Sequence, residues 1–251
     1  MRRALINDIV ELLAKLVTTA EAIEDLRDLF AAEEPLDLIA ARVANTAVAA
    51  IPFADAVSIT VLSWPDARSA ASTDDRASTL DAQQYASGRG PCLEAAWSRT
   101  PVRAVMSESR HRWPEFVTEA QRVGVRASLS VPLIVAGADE EQELVGSLNL
   151  YSATALAFDS FDEELMRLYT VAASQAITNA RRWQRSRETV TQLEQALVSR
   201  SDIDMAKGAL MAVHGCDSQE AFTKLVKESQ RRNVKLRDIA LELLARLREG
   251  A

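Results

Sequence analysis

Residues 143–170 read ELVGSLNLYSATALAFDSFDEELMRLYT. Up to Ser152 the stretch is a strong strand signal. From Ser160 the apolar residues recur every three or four positions, and the chain never returns to the two-residue period. Ser160 with Glu163 has the form of a capping box, in which each side chain satisfies the other's free backbone N–H. No proline or glycine follows until Gly208. The pattern predicts one helix, or two nearly collinear ones, over about 160–213, roughly 80 Å at 1.5 Å per residue. A helix that long implies dimerisation along its length or a rigid connector. The chain is therefore α/β before this point and all-α after it.

Upstream, Leu5, Ile9, Leu12, Leu16, Leu26, Leu29 and Phe30 predict a helix over 3–31. Pro35 suits the first turn of a second helix reaching about Ala50. AVSITVLS (56–63) alternates as a strand, and ARSAAST pairs with it after a Trp64-Pro65-Asp66 turn. A short helix near 78–87 ends at Gly88, and Pro91 opens another, CLEAAWSR. PVRAVM reads as a short strand, and RWPEFVTEAQRVG as a helix with Pro114 in its first turn and Gly124 at its close. RASLSVPLIV is a strand separated from ELVGSLNLYS by the acidic loop AGADEEQ.

Downstream, Val190, Leu193 and Leu197 are spaced 3 and 4, the signature of a two-helix seam. Ile203, Ala206, Leu210 and Val213 continue at 3, 4 and 3, but six positions separate Leu197 from Ile203. The stripe changes register across VSRSD, so the first part faces a partner chain and the second a local core. The alternative is one helix with a broad apolar face. Asp217 with Glu220 opens a helix carrying Ala221, Phe222, Leu225 and Val226, which stops near Asn233. The last helix carries Leu236, Ile239, Ala240, Leu243, Leu244 and Leu247. Phe222 is expected in the core.

The net charge of -7 argues against a generic nucleic-acid binder. The charge is uneven: residues 1–186 hold 18 basic and 26 acidic side chains, and residues 187–251 hold 11 and 10. Arg181, Arg182, Arg185 and Arg187 add a positive block at the junction. No apolar run approaches a membrane span, and Asp8, Glu11 and Lys15 break any signal-peptide core. Cys92 and Cys216 fit neither a disulfide framework nor a zinc spacing, which suits a reducing cytoplasm. His111 and His214 fall in different domains, and no HExxH, GxSxG or P-loop is present. Catalytic residues, metal ligands and cofactors are not identified, and a non-enzyme is expected. Cys92, after Pro91 in a first helical turn, is a weak candidate for a ligand-bearing thiol and otherwise a small buried side chain.

The segment from Ser199 to Leu244 resembles the ANTAR family, the RNA-binding domain of transcription antitermination regulators. Arg200, Ile203, Asp204, Ala206, Lys207, Gly208, Leu210 and Met211 match its first block. Ala221, Phe222, Leu225, Ser229, Asn233, Asp238, Ile239 and Ala240 match the remainder, over about 55 residues. The region 35–182 resembles a GAF domain, an α/β sensor fold with an antiparallel sheet backed by helices. ADAVSITVL, the segment 84–95 with its GPCLEA form, SVPLIV, and LVGSLNLYS leading to the long helix carry that likeness. The signature linked to cyclic-nucleotide GAF domains is not evident. The expected organisation is an N-terminal helix (1–34), the GAF domain (35–182), a helical coiled-coil linker (183–199) and an ANTAR domain (200–251) whose first helix continues the linker.

The resemblance implies a signal-responsive antiterminator that binds paired RNA stem-loops competing with a terminator hairpin. Arg200, Asp204, Lys207 and Met211 recur at i, i+4, i+7 and i+11 and share a helix face. Arg231, Arg232, Lys235 and Arg237 cluster between the last two helices, and Ser229 and Asn233 add hydrogen-bonding groups. The competing structural roles are an Asp204 pair with Arg200 or Lys207 and an Asn233 that only ends a helix. Gly208 costs about 1 kcal/mol relative to alanine in a helix interior. Either the third helix packs against it or an RNA backbone does; Ala206 and Ala209 keep that surface small and favour packing. A homodimer through the Val190–Leu193–Leu197 seam is expected, with an unidentified ligand or a protein partner at the GAF domain and no membrane partner. The rival function is a ligand-sensing or protein-interaction regulator whose ANTAR segment serves mainly for dimerisation.

Overall fold

The computed structural model describes residues 2–51, 53–63, 66–136 and 142–249. Trp64 and Pro65 of the expected turn, and 137–141 of the acidic loop, lie outside them. The elements are α1 (Arg2–Arg27), α2 (Leu36–Ala50), β1 (Ala56–Ser63), β2 (Asp66–Ser72), α3 (Asp75–Ser87), α4 (Pro91–Ser98) and β3 (Val102–Val105). They continue as α5 (Pro114–Arg122), β4 (Ala127–Ala136), β5 (Gln142–Ser152), α6 (Ser160–His214), α7 (Ser218–Arg232) and α8 (Leu236–Glu249). The chain divides into two compact units, 1–184 and 185–251, and α6 contributes to both.

In the first unit the strands form one antiparallel sheet in the order β2-β1-β5-β4-β3. Because side chains alternate along a strand, each face collects every second residue. One face presents Val57, Ile59, Val61, Leu129, Val131, Leu133, Leu148 and Leu150 to α2 and the first half of α6, and Ala22 and Leu26 of α1, with Leu29 of the following turn, join that core. Tyr169 donates its hydroxyl to the Val43 carbonyl at 2.7 Å, fixing α6 to α2. Gly146 is required where β5 meets β1: a Cβ there would lie 1.9 Å from the Thr60 carbonyl oxygen.

The start of α6 departs from the expected cap. Asp159, not Ser160, receives the N–H groups of Phe161 and Asp162, at 2.8 and 2.9 Å. Asp162 reciprocates by accepting the Asp159 N–H at 3.0 Å, so the capping box sits one residue earlier. Asp162 also binds Lys15 of α1 at 2.9 Å with both side chains buried, while Glu163 pairs with Arg103 at 3.1 Å.

The second unit is three helices around Ala206, Leu210, Ala221, Leu225, Ile239 and Ala240. Gly215, at φ 62°, ends α6 in the left-handed region. Asp217 caps α7 by accepting the Glu220 N–H at 2.8 Å. Arg237 of α8 pairs with the buried Asp202 of α6 at 2.8 Å. Two expected core residues lie outside this core: Val213 is 61% exposed and Phe222 37%. The apolar stripe ends at Leu210, one turn before the helix stops, and Cys216 of the following turn packs on the core instead.

Candidate functional sites

The other face of the sheet is also buried, and beside the apolar Ala56, Val102, Ala104 and Tyr151 it carries a polar patch. Ser58 and Thr60 of β1, Ser128 and Ser130 of β4, and Ser147 and Asn149 of β5 are all at most 1% exposed beneath α3, α4 and α5. Strand register makes them one patch: Asn149 lies opposite both Ser58 and Ser130, and Ser147 opposite Thr60. Asn149 donates to Thr60 and Ser58 at 2.9 and 3.2 Å. Among the described residues the hydroxyls of Ser128, Ser130 and Ser147, and Asn149 Oδ1, have no hydrogen-bond partner.

Helix α3 lowers Asp81, Gln84 and Tyr85 onto this patch. Asp81 accepts from Ser69 at 2.6 Å and from Tyr151 at 2.7 Å. Burial pushes its carboxyl above the usual carboxylate range, and these hydrogen bonds oppose the rise. Gln84 donates to Tyr151 at 3.3 Å and accepts the Cys92 N–H at 2.9 Å, joining α3, α4 and β5. Cys92 is buried; desolvation, then the nearby Asp81 charge, pushes its thiol well up, so it stays protonated and is a poor nucleophile. The alternation of serines in SLS (128–130) and SLN (147–149) was the available sign of this patch, but nothing local tells a buried polar face from a wetted one.

On α6 the expected ladder is present. Asp204 lies 3.1 Å from Lys207 and 3.8 Å from Arg200, so the structural pairing holds for both partners. Met211 continues that face and is partly exposed. Gly208 is exposed, and a Cβ built on it would meet nothing within 4 Å. This corrects the expected packing: neither α7 nor α8 touches that position. Asn233 is the left-handed cap of α7 at φ 51°, and Ser229 donates its hydroxyl to the Val234 carbonyl at 2.6 Å. Both therefore serve the α7–α8 turn, where Asn233 is exposed and Ser229 half-buried. Arg231 is held by Glu228 at 2.6 Å and Arg232 by Glu242 at 2.6 Å. Lys235 is exposed and, among the described residues, makes no ion pair. Val190, Leu193 and Leu197 are 47%, 60% and 68% exposed.

Among the described residues no cluster of histidine, cysteine and acidic side chains could hold a metal ion. No helix there is long and apolar enough to cross a membrane. The geometry is that of an α/β domain with an enclosed polar layer, followed by a small helical unit with a bare polar ladder. The GAF domain family model matches residues 32–177, more than half of the chain, and the chain belongs to that family. The ANTAR domain model matches residues 191–244. A GAF domain joined to an ANTAR domain makes this a sensor-regulated transcription antitermination regulator. Both are regulatory domains; ANTAR domains bind RNA and are usually dimeric, and GAF domains mediate ligand or protein interactions.

No curated protein matches the chain. Among solved structures it is similar to a GAF sensor protein from Burkholderia vietnamiensis, at 21% identity over 66% of this chain and 98% of that one, TM-score 0.48. It is also similar to the GAF domain of a phosphoenolpyruvate-protein phosphotransferase from Coxiella burnetii (18%, 66% and 95%, TM-score 0.49). A third is a type II free methionine-R-sulfoxide reductase from Thermoplasma acidophilum (18%, 57% and 94%, TM-score 0.42).

Proposed function

We propose that the second unit binds paired RNA stem-loops that compete with terminator hairpins, and that the first unit makes this binding respond to a ligand or partner in the cytoplasm. The observation that carries the reading is Gly208. A glycine inside a helix is destabilising by about 1 kcal/mol, and here no neighbour in the chain uses the missing side chain. Close approach by another molecule's backbone is a use that remains. Lys207 stands beside it, with Arg200 and Asp204 on the adjoining turns.

RNA loops offer phosphates and unstacked base edges. Lys207, Lys235 and Arg200 supply charge, while Asp204, Asn233 and Ser229 supply acceptors and donors. Arg231 and Arg232 reach phosphate by exchanging Glu228 and Glu242 for it. Such binding weakens steeply with salt. Chains associate along Val190, Leu193 and Leu197, whose exposure supports a helix-to-helix seam. Lys207→Glu weakens binding of a paired stem-loop in a gel shift at physiological salt and leaves the helical circular dichroism intact. Unchanged affinity removes Lys207 from the contact. RNA bound by the wild-type chain separates this function from one in which the ANTAR segment only dimerises.

A further inference from the structure

Residues 89–126 are the basic part of an acidic domain. They hold seven arginines against four glutamates, while in the rest of 1–186, 22 acids outnumber 11 bases. There α4 and the turn before α5 line an open cleft of about 350 Å³, bounded by Arg89, Gly90, Glu94, Trp97, Arg112 and Trp113. Trp113 is buried, and Trp97 is 61% exposed. The Arg112 guanidinium lies 4.5 Å from the Trp113 ring centroid and pairs with the Glu94 carboxylate. Arg89 reaches across the cleft and donates from Nη2 to the Arg112 carbonyl at 3.0 Å, leaving most of its five N–H donors unused by that bond.

An exposed tryptophan beside two arginines is the composition of a binding hot spot. Glu94 demonstrates the chemistry that Arg112 takes: a carboxylate. Two guanidinium groups and one carboxylate leave the lining at one positive charge, which a monoanion neutralises. A phosphate monoester would bring about -1.5 to -2. The volume lies at the small end of ligand sites, about 300–1,000 Å³, and admits a single-ring body.

We propose that this cleft binds a small aromatic monocarboxylate, its ring against Trp97 and its carboxylate on Arg89 and Arg112. The ligand carboxylate shares Arg112 with Glu94 or displaces it. The helix that walls the cleft is tied on its inner side, through the Cys92 N–H and Gln84, to Tyr151 of β5. A ligand here therefore bears on the polar layer of the sheet. The site gives chemical content to the sensor reading and rests on it for biological meaning, but not for its test.

The test is calorimetric titration of the full chain with phenylacetate, alongside phenylacetamide as the uncharged isostere and inorganic phosphate. Phenylacetate binds saturably, and the amide and phosphate bind at least about tenfold more weakly, a difference of about 1.4 kcal/mol. Trp97→Ala and Arg89→Gln each lower phenylacetate affinity about tenfold without changing the melting temperature, because both side chains are exposed. Glu94→Gln raises affinity several-fold, because Arg112 is no longer shared. The proposal is overturned by equal affinity for acid and amide, or by wild-type affinity in Trp97→Ala. It is equally overturned if phenylacetate, benzoate and 3-phenylpropionate all fail to saturate by about 10 mM. No RNA is present, so failure here leaves antitermination standing, and a failed gel shift leaves the cleft standing.

Discussion

Gly208→Ala separates stability from recognition at one atom. The added methyl meets nothing within 4 Å, so it brings no clash and loses no contact. What remains is the backbone term: alanine in a helix interior is favoured over glycine by about 0.8–1.0 kcal/mol. For a unit the size of 185–251 that corresponds to a rise in melting temperature of about 4–8 °C. The gain should appear in the full chain as slower hydrogen exchange at the α6 amides around Ala206–Leu210. In the same protein, stem-loop affinity falls, because the methyl occupies the surface reserved for close approach. A loss of stability refutes the open geometry described for Gly208. A gain in stability with wild-type RNA affinity refutes its place in the contact.

Replacing Val190, Leu193 and Leu197 together by serine lowers the dimer fraction in sedimentation, since these side chains are exposed within one chain; a fully dimeric variant counts against the seam. Asp81 makes stability fall with pH. Its folded-state value is raised by burial, so the folded state holds its proton more tightly than the unfolded chain. The contribution is present below the ordinary carboxylate value and is lost as pH rises from there through the folded-state value. In urea unfolding, Asp81→Asn therefore gains on the wild type as pH increases; a difference independent of pH refutes the shift. For RNA binding, Lys235→Ala reduces the slope of log affinity against log salt by about 1. An unchanged slope places Lys235 off the phosphate path.

Most of the architecture was legible because local signals agreed with the fold. Gly88 closes α3 in the left-handed conformation, at φ 65°, and Pro91 opens α4, as a glycine–proline break implies. The two-residue period marked the strands, and the loss of it at Ser160 marked the change of class. The α6 cap misled because two overlapping pairs compete: Asp159 with Asp162, and Ser160 with Glu163. Lys15, far away in sequence, binds Asp162 and Arg103 binds Glu163, and no local pattern carries those pairings. Val213 and Phe222 fit helical periods, but periodicity does not say where a neighbouring helix ends. Gly208 was legible as an anomaly, and only the open space around it argued against packing. The buried serines of the sheet escaped notice because a polar residue at every second position reads equally well as a wetted face.

The two sides of that sheet differ in what holds them shut. On one side, α2 and α6 adhere through hydrocarbon, an adhesion with no stoichiometry to satisfy. On the other, α3, α4 and α5 share a smaller apolar cluster with Val102, Ala104 and Tyr151 and also cover hydroxyls and an amide, four of whose oxygens remain unpartnered among the described residues. Lifting that layer into water returns hydration to those oxygens, so its opening is refunded in part, whereas parting α2 from the sheet is not. That difference favours opening on the α3–α4 side over parting α2 from the sheet.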